Sequence, residues 1–397
     1  MSESQRAIKI LVVVDSMGLG GAQSLIIDFC AGYDRQCLDV LVCALGKRTD
    51  MVERMEQHGA AYRILNIAKW NPFCGRKLRQ VAEKFKPDII YAHLIKSLIA
   101  GSMLARHVGV PLVYHEHSDG TIRTVKDIAA WALMATILYR FKQRFAGYAR
   151  SIIACGPKAA DRMLSLGFGR SEQVHVVPNG IDLTKFTFSD EERVQIRAEV
   201  RDELNIPQEA VVVCNVGRFR SEKNWPEFLR VLADVSGGFP DLRILAVGSG
   251  ALLEEMKALC SELGIEGRTV FTGFRNDVPR LLLASDIMVC TSVREGNSIA
   301  IQEAMVCGVP IVTYDVGETR FAVRENMDGH VVENGNASAL ADRLRAVLAH
   351  PAKRAAYSRS CHERAVGEFD VRVMVRRIEL VLANARLDHA RPRVLGR

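Results

Sequence analysis

The sequence predicts an α/β protein of two facing doubly wound, Rossmann-like domains with an interdomain cleft. Three observations carry that expectation. Short runs rich in Val and Ile alternate with helical-period segments along all 397 residues, which is how parallel strands buried on both faces and joined by crossover helices read. The chain is too long for a single ordinary core, so two domains of roughly 180 to 200 residues are expected. Near the middle, Val177-Pro-Asn-Gly-Ile-Asp182 interrupts the series with turn chemistry.

In chain order, the first series of strands falls near Ile8–Val14, Leu38–Ala44, Tyr62–Leu65, Asp88–Ala92, Leu112–His115, Ser151–Ala154 and Val174–Val177. A second series starts at Ala210, with strands near Val211–Val216, Arg243–Val247, Thr269–Phe271, Ile287–Cys290, Ile311–Thr313 and Gly329–Val332. Helical segments Ala337–Ala349, Ala352–Phe369 and Val371–Ala385 follow, then a basic tail ending at Arg397 that is expected to fray. The expected domains are therefore residues 1–182, residues 183–370, and a terminal helix and tail, 371–397, packing back toward the first domain.

Composition narrows the class. With 48% hydrophobic and 25% charged residues, the chain reads as a soluble globular protein. None of its ten cysteines falls in a C-x-x-C, and Cys43, Cys214 and Cys290 lie in apolar strand-like runs, so a reducing, cytoplasmic setting is expected. The N-terminus lacks an apolar signal core, and no apolar run approaches the length of about 20 residues that a membrane-spanning helix needs. Residues 1–182 carry about 24 Lys and Arg against about 16 Asp and Glu of the totals 53 and 46, which points to an anionic partner for the first half. Nucleic acid is not that partner, because no motif of a nucleic-acid-binding module accompanies the charge. Residues 128–150 join an apolar stretch to Arg140, Lys142, Arg144 and Arg150 among aromatics. Two readings stay open for it: a long core helix with an exposed basic end, or a segment lying on an anionic membrane surface.

The chemistry-bearing residues sit where strands end. Glu295 and Glu303 flank the junction between an apolar strand and a helix, where a ligand in the crevice of an open sheet would lie and a helix N-terminus favours anions. Arg218 and Lys223 leave the first strand of the second series, and two cations there can neutralise a diphosphate. Val247-Gly-Ser-Gly250 and Phe271-Thr-Gly-Phe-Arg-Asn276 repeat the theme of glycine-bearing loops directly after strands. In the first half, Gly18, Gly20 and Gly21 follow the first strand and let backbone approach a ligand. A dinucleotide fingerprint would need a further glycine where Gln23 stands. His93, His115 and His117 lie at the ends of two strands, and the His115-Glu-His117 spacing puts two rings on one face of an extended segment. They could donate hydrogen bonds to a sugar or phosphate; zinc held by His115 and His117 is a weaker reading, since a third ligand is not evident.

Jointly these motifs resemble the retaining glycosyltransferases of family four, which have the GT-B architecture, over almost the whole chain. The resemblance rests on Gly20-Gly21-Ala22, Val177 to Asp182, Gly217-Arg218 with Lys223, Gly248-Ser-Gly250, and Glu295 to Glu303 running on through Ala304-Met305 to Gly308-Val-Pro-Ile-Val312. It implies a nucleotide-sugar donor on the second domain and a saccharide or lipid-linked acceptor entering through the first. By the same resemblance, Arg218 and Lys223 hold the diphosphate, Glu303 the ribose and Glu295 the transferred sugar. Gly296, Asn297, Ser298 and Ile299 would offer backbone amides, with Gly248, Phe274, Arg275 and Asn276 completing the donor site. Gly20 and Gly21 approach the diphosphate, and His117 matches the active-site histidine. Asn297, Ser298 and Gln302 depart from the apolar residues or proline commoner in the family.

The implied reaction is sugar transfer with retention of configuration, serving cell-surface polysaccharide or glycolipid synthesis at the inner face of a membrane. No D-x-D occurs, so neither an essential metal nor a cofactor is expected. A nucleotide-sugar epimerase of the same architecture, an NAD-dependent dehydrogenase and a non-catalytic saccharide-binding relative remain alternatives at this point.

Overall fold

The computed structural model describes residues 6–18, 20–67, 74–117, 140 and 143–390, apart from the side chains of Cys74 and Ala390. The chain divides into two compact units, one of residues 1–180 with 371–397, the other of residues 181–370. The segment singled out at 128–150 falls largely outside the described residues, and no described helix is long and apolar enough to cross a membrane.

Unit 1 is built on a seven-stranded sheet of β1 (Ile8–Val14), β2 (Leu38–Ala44), β3 (Ala61–Ile64), β4 (Ile89–His93), β5 (Leu112–Glu116), β6 (Ser151–Ala154) and β7 (Val174–Val176). All pairings are parallel, in the order β3-β2-β1-β4-β5-β6-β7. The chain steps one way from β1 to β3 and then returns to the other side of β1, so the topological switch point lies between β1 and β4. Strands β4 and β5 each run one residue beyond the sequence expectation because their last residues find partners: His93 pairs with Val14 and His115, and Glu116 with Ala154. Both histidines of that pair therefore sit inside the ladder.

Unit 2 carries β8 (Val211–Val216), β9 (Leu242–Val247), β10 (Thr269–Gly273), β11 (Ile287–Cys290), β12 (Ile311–Tyr314) and β13 (Gly329–Val332). Its order, β10-β9-β8-β11-β12-β13, is again parallel throughout and places the switch point between β8 and β11.

Strand residues alternate between the two cores of each sheet. Val12 and Val14 enter one cluster in unit 1 while Leu11 and Val13 enter the other. In unit 2, Val212 and Cys214 face one way and Val213 the other. All are fully buried, and each such side chain contributes about 1.5–3 kcal/mol relative to exposure. Helix α1 (Gly21–Gly32) is covered by the last helix of the chain, Val371–Ala390, whose Met374, Ile378, Leu382 and Ala385 recur at helical spacing and pack with Phe29. That helix runs five residues past the expected Ala385. Its extra turn is held by the Arg150–Asp388 ion pair at 3.6 Å and by Arg386 at 3.7 Å from Asp88.

Candidate active site

In unit 2 the loops at the carboxyl edge of the sheet interlock through their backbones. Gly217 N–H donates to the Val247 carbonyl, Phe219 N–H to Ser249 and Gly248 N–H to Gly273, so the turns after β8, β9 and β10 form one layer. Gly248 makes this possible: it sits at φ +140°, and a Cβ there would come within 2.0 Å of the Gly217 oxygen. The β8 loop is fixed from below by Trp225, fully buried, which stacks on Phe219 at 4.1 Å and donates its indole N–H to the Arg218 carbonyl at 3.0 Å.

Across the switch point, the loop after β11 is tied to the loop after β8. The Thr291 hydroxyl donates to the carbonyls of Lys223 and Asn224 at 3.1 and 3.0 Å, and Val293 N–H donates to Glu222. These bonds bring the Lys223 ammonium onto the Glu295 carboxylate as a hydrogen-bonded ion pair. Both side chains are mostly covered, at 22% and 12% exposure. Burial is the largest single influence and pulls the lysine down, but Glu295, with Cys290 and Glu222 adding to it, holds the pKa above the usual lysine value, so the ammonium stays charged.

The segment from Gly296 to Ser298 leads into the helix Ile299–Val306, which has no side-chain N-cap and no acidic residue in its first turn. Its N-terminal amides leave a positive end at the edge of the sheet. Glu303 is half-buried one turn inside this helix. From the other side, Gly317 at φ +51° presses against the loop: a Cβ would meet the Glu295 and Gly296 oxygens at 2.2 and 2.4 Å, and Glu318 N–H donates to Gly296 at 2.9 Å.

The structure thus gathers Lys223, Glu295, Gly248 and the Gly296–Ile299 turn at one edge, with Arg218 on the same β8 loop. Arg275 is engaged in ion pairs, with Glu203 at 2.6 Å and Asp277 at 2.7 Å, and its neighbours Phe274 and Asn276 are exposed. The departures noted in the sequence are coupled: the fully buried Gln302 amide donates to the Asn297 side-chain oxygen at 3.1 Å. Residue-by-residue reading missed that pairing, as well as Thr291, Gly317 and Tyr91. Gly317 alone carried a legible signal, a glycine three residues after the end of a strand.

In unit 1, Gly20 and Gly21 open helix α1 at the end of the β1 loop. Nothing lies within 4 Å of a Cβ built on Gly21. Gln23 folds back to donate to the Ser16 carbonyl at 2.9 Å, so a buried side chain fills the place a dinucleotide fingerprint reserves for glycine. At the ends of the next two strands, β4 and β5, His93, His115 and His117 form a stack. The His115 and His117 rings are 4.4 Å apart, His93 Nδ1 lies 2.8 Å from His117 Nε2, and the Tyr91 hydroxyl lies 2.7 Å from His115 Nδ1. Burial holds His93 and His115 well below the usual histidine range and takes His117 down to about 4, against a small opposing pull from Glu116. All three rings are neutral at physiological pH.

Two parallel, doubly wound units, each with glycine-bearing turns and polar side chains at its carboxyl edge, are the components of the GT-B architecture. Comparisons with known proteins agree. Residues 196–364 match the family described as glycosyl transferases group 1, and residues 19–185 match glycosyltransferase family 4. The chain belongs to this glycosyltransferase family. It is 26% identical over 262 residues to the Escherichia coli UDP-Gal:alpha-D-GlcNAc-diphosphoundecaprenol alpha-1,3-galactosyltransferase, covering 64% of this chain and 65% of that protein. It is 28% identical to the 2-deoxystreptamine glucosyltransferase of Streptomyces kanamyceticus, covering 74% and 76%. The crystal structure of Anabaena Alr3699/HepE in complex with UDP superposes with a TM-score of 0.82 at 25% identity, covering 95% of this chain and all of that one. These matches give no support to the epimerase or dehydrogenase alternatives.

Proposed function

We propose that the protein transfers a sugar from a nucleoside diphosphate sugar to a hydroxyl of a saccharide or lipid-linked acceptor, with retention of configuration and without a metal. The observation that carries this reading is the charged Lys223–Glu295 pair at the switch point of unit 2, beside an uncapped helix N-terminus and a layer of glycine turns. In the proposed reaction Lys223 and Arg218 stabilise the charge that develops on the departing diphosphate, and the helix dipole adds to them. Glu295 orients the sugar and keeps Lys223 in place. Glu303 binds the ribose hydroxyls, and the backbone of Gly296 to Ile299 contacts the sugar and phosphates. His117 and the Gly20–Gly21 turn of unit 1 are assigned to the sugar and the diphosphate. Retention follows when the acceptor hydroxyl attacks from the face the diphosphate leaves, its proton passing to a diphosphate oxygen.

A UDP-linked donor is supported by the UDP complex of the Anabaena protein and by the UDP-Gal donor of the Escherichia coli relative. A lipid-linked acceptor is supported by that relative's undecaprenol-linked substrate and by the basic balance of the first half. With such an acceptor, the proposed location is the inner face of a membrane, where the protein would act as a peripheral enzyme. A donor screen that reads nucleotide release with and without membrane extract tests the whole reading. UDP release that rises with acceptor supports it; release of no nucleotide from any donor overturns it. Anomeric analysis of the product checks retention, turnover with chelator present checks metal independence, and anionic vesicles at low salt check the membrane proposal.

A further inference from the structure

We propose that His93, His115 and His117 form a binding site for one transition-metal ion, of which Zn2+ is the defining probe, at the carboxyl edge of the unit 1 sheet. One nitrogen from each ring can be chosen so that all lie within 4.8 Å of one another, and no other group of three such side chains occurs among the described residues. The cluster follows from topology. His93 and His115 are register partners on adjacent strands, and His117 lies two residues past His115 on the same face.

Two further observations point to an occupant. His93 Nε2 and His115 Nε2 are both buried with no hydrogen-bond partner, and a polar atom left unmet in the interior is destabilising. The Tyr91 hydroxyl beside His115 Nδ1 can accept a hydrogen bond from that nitrogen. That leaves the His115 Nε2 lone pair free, the tautomer a metal ligand needs, with an outer partner of the kind metal-bound histidines have, while the contact of His93 Nδ1 with His117 is given up when the ion binds. The donor set is three imidazoles with no carboxylate or thiolate, which suits Zn2+, Co2+, Ni2+ or Cu2+ rather than Mg2+ or Ca2+.

Tetrahedral zinc with bonds of 2.0–2.1 Å puts its ligand nitrogens about 3.4 Å apart. The rings lie close enough for one nitrogen of each to fall within 4.8 Å of the others, so binding asks for a rearrangement of side chains rather than of strands. His117, less buried than the other two, supplies it by turning from His93 toward the ion. Three protein ligands leave a fourth position for water. On the function proposed above, an ion here withdraws His117 from the sugar, so Zn2+ acts as an inhibitor of transfer. The site itself stands whether or not that function is right.

The test uses full-length protein stripped with chelator. Zn2+ titration by calorimetry should show one ion per chain, and Co2+ should give the visible bands of a tetrahedral nitrogen site. His117→Ala, at the most accessible ligand, should weaken Zn2+ binding by at least about 100-fold, and Tyr91→Phe, which removes the outer partner, by about 10–100-fold. Circular dichroism confirms that each variant folds. Wild-type protein that takes up no stoichiometric Zn2+, leaving water to satisfy the orphan nitrogens, overturns the proposal. So does Zn2+ binding that survives in His117→Ala, or that is lost in Cys37→Ser, which removes the exposed thiol.

Discussion

Replacing Gly248 by alanine probes how closely the turns of unit 2 pack. The residue sits at φ +140°, outside the range a side chain tolerates, and an added Cβ would lie 2.0 Å from the Gly217 oxygen. Holding such a backbone angle costs about 1–3 kcal/mol. Relieving the clash to even 3.0 Å needs the Gly217 carbonyl to move by about 1 Å, the difference between those distances, and overpacking of that order adds about 1–3 kcal/mol. The expected loss is thus about 2–6 kcal/mol. Gly237 is the matched control: it has φ −61°, and nothing lies within 4 Å of its Cβ. Gly237→Ala should be neutral or stabilising by up to about 1 kcal/mol. Denaturant titrations followed by far-UV circular dichroism compare the two. A Gly248→Ala protein within about 0.5 kcal/mol of wild type, the range of unremarkable surface changes, would refute the close approach of the β8 and β9 turns.

Gln302→Leu removes the donor to Asn297 while keeping volume; it should cost about 1 kcal/mol and change the ratio of turnover between two donor sugars, read from nucleotide release. Asp328 is buried, yet its hydrogen bonds from Arg324 and Ser360 hold its pKa below the usual aspartate value. Its contribution is therefore full above that ordinary value and lost as pH falls through the lower folded one; stability measured below about pH 4 should fall in wild type and fall less steeply in Asp328→Asn. Trp225→Ala removes the ring that stacks on Phe219 and holds the Arg218 carbonyl, and should cost about 3–5 kcal/mol in a denaturant titration.

Sequence periodicity located the strands because parallel strands buried on both faces leave continuous apolar runs such as Ile8–Val14 and Val211–Val216. Their ends were less legible. Whether β4 stops at Ala92 or His93 depends on partners in β1 and β5, which no local pattern contains. The reach of the last helix to Ala390 was hidden for the same reason, since its final turn is held by Asp88 and Arg150, both far away in sequence. At the site, residue type and spacing pointed to Lys223 and Glu295, but not to the bond between them, which is made by Thr291 holding two loops together. Arg275 shows the converse limit. The resemblance puts it in the donor site, and only the folded chain reveals its ion pairs with Glu203 and Asp277. Gln302 looked anomalous in isolation, and the buried hydrogen bond to Asn297 accounts for it.

The measurement that bears most directly on the account is turnover of a UDP-sugar by Lys223→Ala protein whose fold is verified. Loss of one group stabilising a developing charge should lower kcat by about 100- to 1,000-fold, with the unfolding transition retained. Wild-type turnover in that variant would contradict the claim that the carboxyl edge of unit 2 grips the leaving diphosphate.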